Sequence, residues 1–139
     1  MDFDTVSAEE FGKSLSGVGV NLLSTDVKGF VKFLTTVFGA QVFRVSEDFA
    51  IVTSGDAILQ IHSDGTYGSH PLLGLVPENP PRGGGVQLYL FGIDPDQAEK
   101  RAKDAGHVVI EPTAHKPHGL RECTILSPDG YAFSPAIPK

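Results

Sequence analysis

Three absences set the first limits on this chain. With one cysteine, Cys123, it cannot form an intrachain disulfide. Basic residues are in deficit: 11 lysines and arginines stand against 17 aspartates and glutamates, a net charge of −6. A nucleic-acid-binding face needs the opposite balance. No apolar run approaches the ~20 residues that span a bilayer. The opening stretch, MDFDTVSAEEFGKSL, is acidic and lacks the charged-then-apolar layout of a signal peptide. The expectation is a cytoplasmic protein with neither nucleic acid nor membrane as partner.

What is present fits one soluble domain. The 139 residues are 40% hydrophobic and 20% charged, enough to build a single core. The main internal feature is a repeat. Residues 17–63 and 85–138 each read strand, helix, strand, strand, strand. Asp26 opens the first helix and Gly39 follows its end; Asp94 and Gly106 do the same for the second. One such unit cannot bury its sheet face alone, so two must pair, and paired half-sheets leave a concave surface where small ligands bind.

Local signals place the elements. Ser7 and Glu10 have capping-box spacing, and Val6 with Phe11 that of a hydrophobic staple, so a helix is expected over residues 8–15. Lying outside the repeat, it should pack on the exterior of the domain or against a partner subunit. Residues 17–23 read as a strand. Val27, Phe30, Val31, Leu34, Val37 and Phe38 mark one face of a helix closed by Gly39. Strands follow at 41–45, 49–53 and 57–62. Residues 64–84, rich in proline and glycine, read either as a plain connector or as a cover over the pocket. In the second copy, 86–93 is a strand. Asp94-Pro95-Asp96-Gln97 starts a helix with Asp94 as cap, Pro95 at the first position and Gln97 completing a capping box. Strands at 107–111, 121–126 and 131–137 close the unit, with a tight turn at Ser127-Pro128-Asp129-Gly130.

Three segments carry a family resemblance: STDVKGFVKFLTTVFGA, GIDPDQAEKRAKDAGHVVIEP and HGLRECTILSPDGYAFSP. Through them, residues 17–138 resemble the vicinal oxygen chelate superfamily, which includes glyoxalase I, extradiol dioxygenases, fosfomycin-resistance enzymes and bleomycin-resistance proteins. The resemblance implies an α+β fold of two tandem βαβββ modules forming a U-shaped mixed-sheet cleft, within a homodimer. Here residues 1–16 add an N-terminal helix, 17–63 are module one, 64–84 the connector and 85–138 module two. In metal-dependent members four positions supply histidine or carboxylate ligands. Matched to this chain they fall near Gly19, Gln60, Gln87 and Ser134, a shift of one or two residues replacing Gln60 by Leu59 or His62. Glycine has no ligating side chain, serine is a poor ligand and glutamine is neutral, so the usual metal site looks dismantled.

Strand parity adds Asn21, His62 and Tyr89 to the same cleft. Asn21, Gln60, His62, Gln87, Tyr89 and Ser134 then form the candidate ligand-binding set, a neutral hydrogen-bonding lining with one aromatic wall. It suits a polar organic molecule and supplies no general base besides His62. His115-Lys116-Pro117-His118 has metal-like spacing but lacks helical geometry, so a solvated or pocket-rim loop is favoured. Cys123 reads as a small buried residue. Gly83-Gly84-Gly85 precedes a strand rather than opening a helix, which gives a phosphate-cradle reading little weight. Two function classes stand. One is a glyoxalase/bleomycin-resistance-like protein that binds a small organic molecule without metal. The alternative is a metal-dependent lyase, isomerase or dioxygenase with a non-standard site using His62 with His115 or His118; a metal-free enzyme with His62 as base is a thinner variant.

Overall fold

The helical stripe from Val27 to Phe38 folds as expected. In the computed structural model, which describes residues 1–79 and 81–139, α2 (Val27–Phe38) starts where Asp26 Oδ1 accepts the Gly29 N–H at 3.0 Å. A side chain at Gly29 would run into that carboxylate. Gly39 ends the helix in the left-handed region at φ 65, which glycine adopts without strain. The second module builds α3 (Pro95–Asp104) in the same way, with one difference. Asp94 accepts from the Asp96 N–H at 3.0 Å, while the Gln97 side chain turns away to Arg101, so the expected capping box does not form.

Each helix belongs to a four-stranded mixed sheet. Module one has β1 (Val20–Ser24), β2 (Gln41–Phe43), β3 (Phe49–Ser54) and β4 (Ala57–Ser63) in the order β1-β4-β3-β2. Module two has β5 (Gln87–Phe91), β6 (Val108–His115), β7 (Leu120–Leu126) and β8 (Ala132–Pro138) in the order β5-β8-β7-β6. In both, the first and last strands run parallel and the rest antiparallel. The repeat is therefore structural. β6 runs past the expected residue 111 to His115, with register shifts on both sides of Glu111. That irregularity accommodates Pro112, which has no N–H for a ladder, on an edge strand. The 64–84 connector carries two short 3-10 turns, Asp64–Tyr67 and Pro71–Leu75. Among the described residues no helix is long and apolar enough to cross a membrane.

One apolar cluster joins the modules, and its geometry decides where the site can be. Leu22, Ala50, Val52, Leu59 and Ile61 face α2, while Leu90, Cys123, Ile125 and Phe133 face the helices from the second sheet. Phe30, Phe33 and Phe38 of α2 reach the Phe133 ring on β8 at centroid distances of 6.0, 6.0 and 5.7 Å. Each such fully buried side chain contributes roughly 1.5–3 kcal/mol. The helices thus lie between the sheets, and the opposite face of each sheet turns outward.

The outward face of the first sheet is covered from within the chain. α1 (Ala8–Ser14) is capped by Ser7, whose Oγ accepts the Glu10 N–H at 3.1 Å. Val6 and Phe11 pack on Ile51, with Phe3, Leu15, Phe43, Phe49 and Ile58 around them. Arg44 fastens this segment by donating to the Asp4 carboxylate and to the Phe3 carbonyl. The helix that the sequence places on the exterior sits on the very face that carries Gln60, the cross-strand partner of Ile51.

Candidate functional site

The six candidate residues divide between the two outward faces. Asn21, Gln60 and His62 lie on β1 and β4 of the first sheet; Gln87, Tyr89 and Ser134 lie on β5 and β8 of the second. The division follows from the helical core: residues that alternate away from Phe133 on one sheet, and from Ile61 on the other, point in opposite directions.

On the first sheet, Asn21 joins two rings. Its Nδ2 donates to the Tyr67 hydroxyl at 2.6 Å, and its Oδ1 lies 2.6 Å from His62 Nδ1. The amide oxygen can only accept, so His62 carries its proton on Nδ1. Phe49 and Tyr67 flank the imidazole, with centroids at 4.8 and 5.3 Å, and burial lowers its pKa. Tyr67 belongs to the first turn of the connector, which thus packs on the outward face of the first sheet. His70 belongs to the same connector, its Nδ1 accepting the Leu72 N–H at 3.0 Å. His107 instead packs edge-on against Phe33 in the core region.

The second sheet keeps an open groove of about 600 Å³, bordered by the Gly83-Gly84-Gly85 strap, Val86, Ile110, Leu126 and Ala132. Gln87, Thr124 and Glu111 contribute its polar lining, Glu111 being paired with Lys116. Gln87 Nε2 donates to Ser134 Oγ at 2.9 Å, and Ser134 Oγ lies 2.8 Å from Thr124 Oγ1. Beyond this trio, the Tyr89 hydroxyl donates to Glu122 Oε2 at 3.0 Å, and His118 Nε2 meets Glu122 Oε1 at 2.6 Å. Burial, with the carboxylate beside it, raises the Tyr89 pKa. Phe91 stacks parallel to Tyr89 at 5.3 Å.

Thr124, Glu122, Tyr67 and Phe91 are absent from the candidate set read from the sequence. Parity along β7 could have found Glu122 and Thr124, since Cys123 and Ile125 between and beside them are core residues. The repeat itself is asymmetric here. Ile51 pairs with Gln60 in the first sheet, and Thr124 stands in the corresponding place beside Ser134. An apolar face gained an internal cover, and a polar one stayed open.

The donors at the four family positions do not suit a divalent ion. Gly19 offers no side chain, and Gln60 lies on a different sheet from Gln87 and Ser134. Ser134 Oγ is fully buried and already engaged by Gln87 and Thr124. The histidines do not converge either: His62 is bound to Asn21 and His118 to Glu122. Among the described residues no three His, Cys, Asp or Glu side chains are placed to hold a metal.

Comparison with known proteins agrees with this architecture. No curated protein matches the chain. A glyoxalase/bleomycin resistance protein/dioxygenase family enzyme from Burkholderia phytofirmans PsJN superposes with a TM-score of 0.71 at 18% identity, covering 86% of this chain and 96% of the other. TioX from Micromonospora sp. ML1 gives 0.64 at 22%, covering 90% and 100%. The fosfomycin resistance protein FosX from Mesorhizobium loti gives 0.61 at 14%, covering 90% and 94%. At these identities the structures share the fold. The sequence itself matches the family profile over residues 18–134, so the chain belongs to the Glyoxalase/Bleomycin resistance protein/Dioxygenase superfamily.

Proposed function

We propose that this protein binds a small organic molecule in the groove of its second sheet, without a metal at the four family positions, and that it works as a homodimer. The observation that carries this reading is the Gln87–Ser134–Thr124 trio beneath a groove whose remaining lining is apolar apart from Glu111, which Lys116 pairs. A few convergent polar groups amid apolar walls characterise small-molecule sites. The amide of Gln87 can both donate and accept, which suits a planar ligand with an amide-like edge. For the homodimer, Val86, Phe91, Val108 and Ile110 leave a rim of exposed apolar surface on the same module, the kind of patch that marks an association surface.

A panel of planar aromatic amides, naphthamide among them, tests the reading by thermal shift. Binding should raise the apparent stability, and Gln87→Leu should remove most of the rise. A flat response across the panel, with catalytic turnover detected instead, would sink it. Freshly purified protein should carry less than about a tenth of an equivalent of metal by elemental mass spectrometry, before and after soaking and dialysis.

A further inference from the structure

The second-sheet face carries two carboxylates besides the neutral trio: Glu111 at the groove, paired with Lys116, and Glu122, a residue only 4% exposed. The side-chain hydrogen-bond partners of Glu122 are the Tyr89 hydroxyl and the His118 imidazole. Among the described residues its single ion-pair partner is His118, itself half exposed at the β6–β7 turn. No lysine or arginine among them reaches it: Lys116 pairs with Glu111, and Arg121 with Asp96. A buried carboxylate wants a positive partner, and here one exists only when His118 is protonated.

The surroundings of Glu122 suit a cation from outside. Phe91, Ala136 and Glu122 stand side by side across β5, β8 and β7, with a single methyl between the ring and the carboxylate. Tyr89 lies beside them, stacked on a Phe91 that is 65% exposed. The next row of the same face holds Tyr89, Ser134 and Thr124, and Gln87 follows one row further, opposite Ala132 of the groove. We infer that the ligand of this groove carries a protonated amine, which docks against Glu122 beside the Tyr89 ring while the rest of the molecule occupies the groove. A cation over an aromatic face next to a carboxylate gains from both. The inference rests on the binding reading above and names its ligand class.

Two matched probes test it, naphthylmethylammonium and the neutral naphthylmethanol, titrated calorimetrically into the full chain. The ammonium should bind about tenfold more tightly, and Glu122→Gln should erase that advantage while leaving the alcohol unchanged. Because Glu122 is buried, His118→Ala provides a second variant at a half-exposed position. Removing the competing imidazole should strengthen ammonium binding several-fold and leave the alcohol alone. If the alcohol binds and the ammonium binds no better, the inference falls and the groove reading stands. The inference also falls if Glu122→Gln weakens both probes equally, since the carboxylate then only positions Tyr89. It falls again if His118→Ala leaves ammonium binding unchanged or weaker. If neither probe binds, both readings fall.

Discussion

Asp129 Oδ2 accepts a 2.6 Å hydrogen bond from Ser24 Oγ, although 105 residues separate the two. The carboxylate also accepts from Thr25, through its hydroxyl at 2.7 Å and its N–H at 3.3 Å. Ser24 Oγ in turn accepts the Asp26 N–H at 3.0 Å, so the turn of module two fixes the residue that caps α2 of module one. Asp129 is 3% exposed. Its own turn is tied down by Gly130, which stands at φ 90, and by Arg82, whose N–H donates to the Asp129 carbonyl.

Asp129→Ala should therefore cost stability out of proportion to its size. It leaves the buried Ser24 hydroxyl without its acceptor and removes two bonds from the more exposed Thr25, and losing a buried hydrogen bond to a charged acceptor costs about 1.5–3 kcal/mol. Urea unfolding should show a lower midpoint with an unchanged slope. A midpoint equal to that of the parent protein would mean that the contact does not join the modules.

Phe11 tests the cover on the first sheet. It is 7% exposed and packs with Phe3 and Ile51. Phe11→Ala should destabilise by about 3 kcal/mol. Removing residues 1–16 should bare Phe43, Phe49 and Ile51 and raise binding of a hydrophobic dye. Dye binding at the parent level after truncation would show that this face is covered by something else.

Cys123 should behave as an inert thiol. Burial pushes its pKa up to about 11, so thiolate is scarce at neutral pH. A thiol-specific reagent at about pH 8 should leave the native protein unlabelled and label it once in denaturant. Fast labelling of the native state would contradict the burial.

Acid should weaken the fold through His62 and His107. Burial lowers the pKa of both below 6.5. The unfolded chain therefore takes up protons first as pH falls, and stability declines from near 6.5 down to the lowered folded-state values. Above 6.5 both states are neutral at these sites and the contribution is fully present. Melting temperatures between about pH 7.5 and pH 5 should drop for the parent protein and drop less for His62→Gln or His107→Gln. Identical slopes in all three would assign the acid sensitivity elsewhere.

Much of this fold was legible because its signals are local. The apolar stripe of α2, the caps Asp26 and Asp94, the left-handed Gly39 and the Ser127–Gly130 turn all act within a few residues. Their recurrence pointed to two βαβββ modules and, with the family-like segments, to the superfamily. The arrangement of the modules was not legible in this way. Whether two outward faces join into one lining depends on which apolar surfaces meet, and that was settled by Phe30, Phe33 and Phe38 packing on Phe133, about a hundred residues away in sequence. The same packing separated Asn21 and His62 from Gln87 and Ser134. Likewise, Phe11 could find Ile51, and Glu122 could meet Tyr89 and His118, only after the strands had paired. Periodicity determines which side of an element is apolar; the partner that side finds is a property of the whole folded chain.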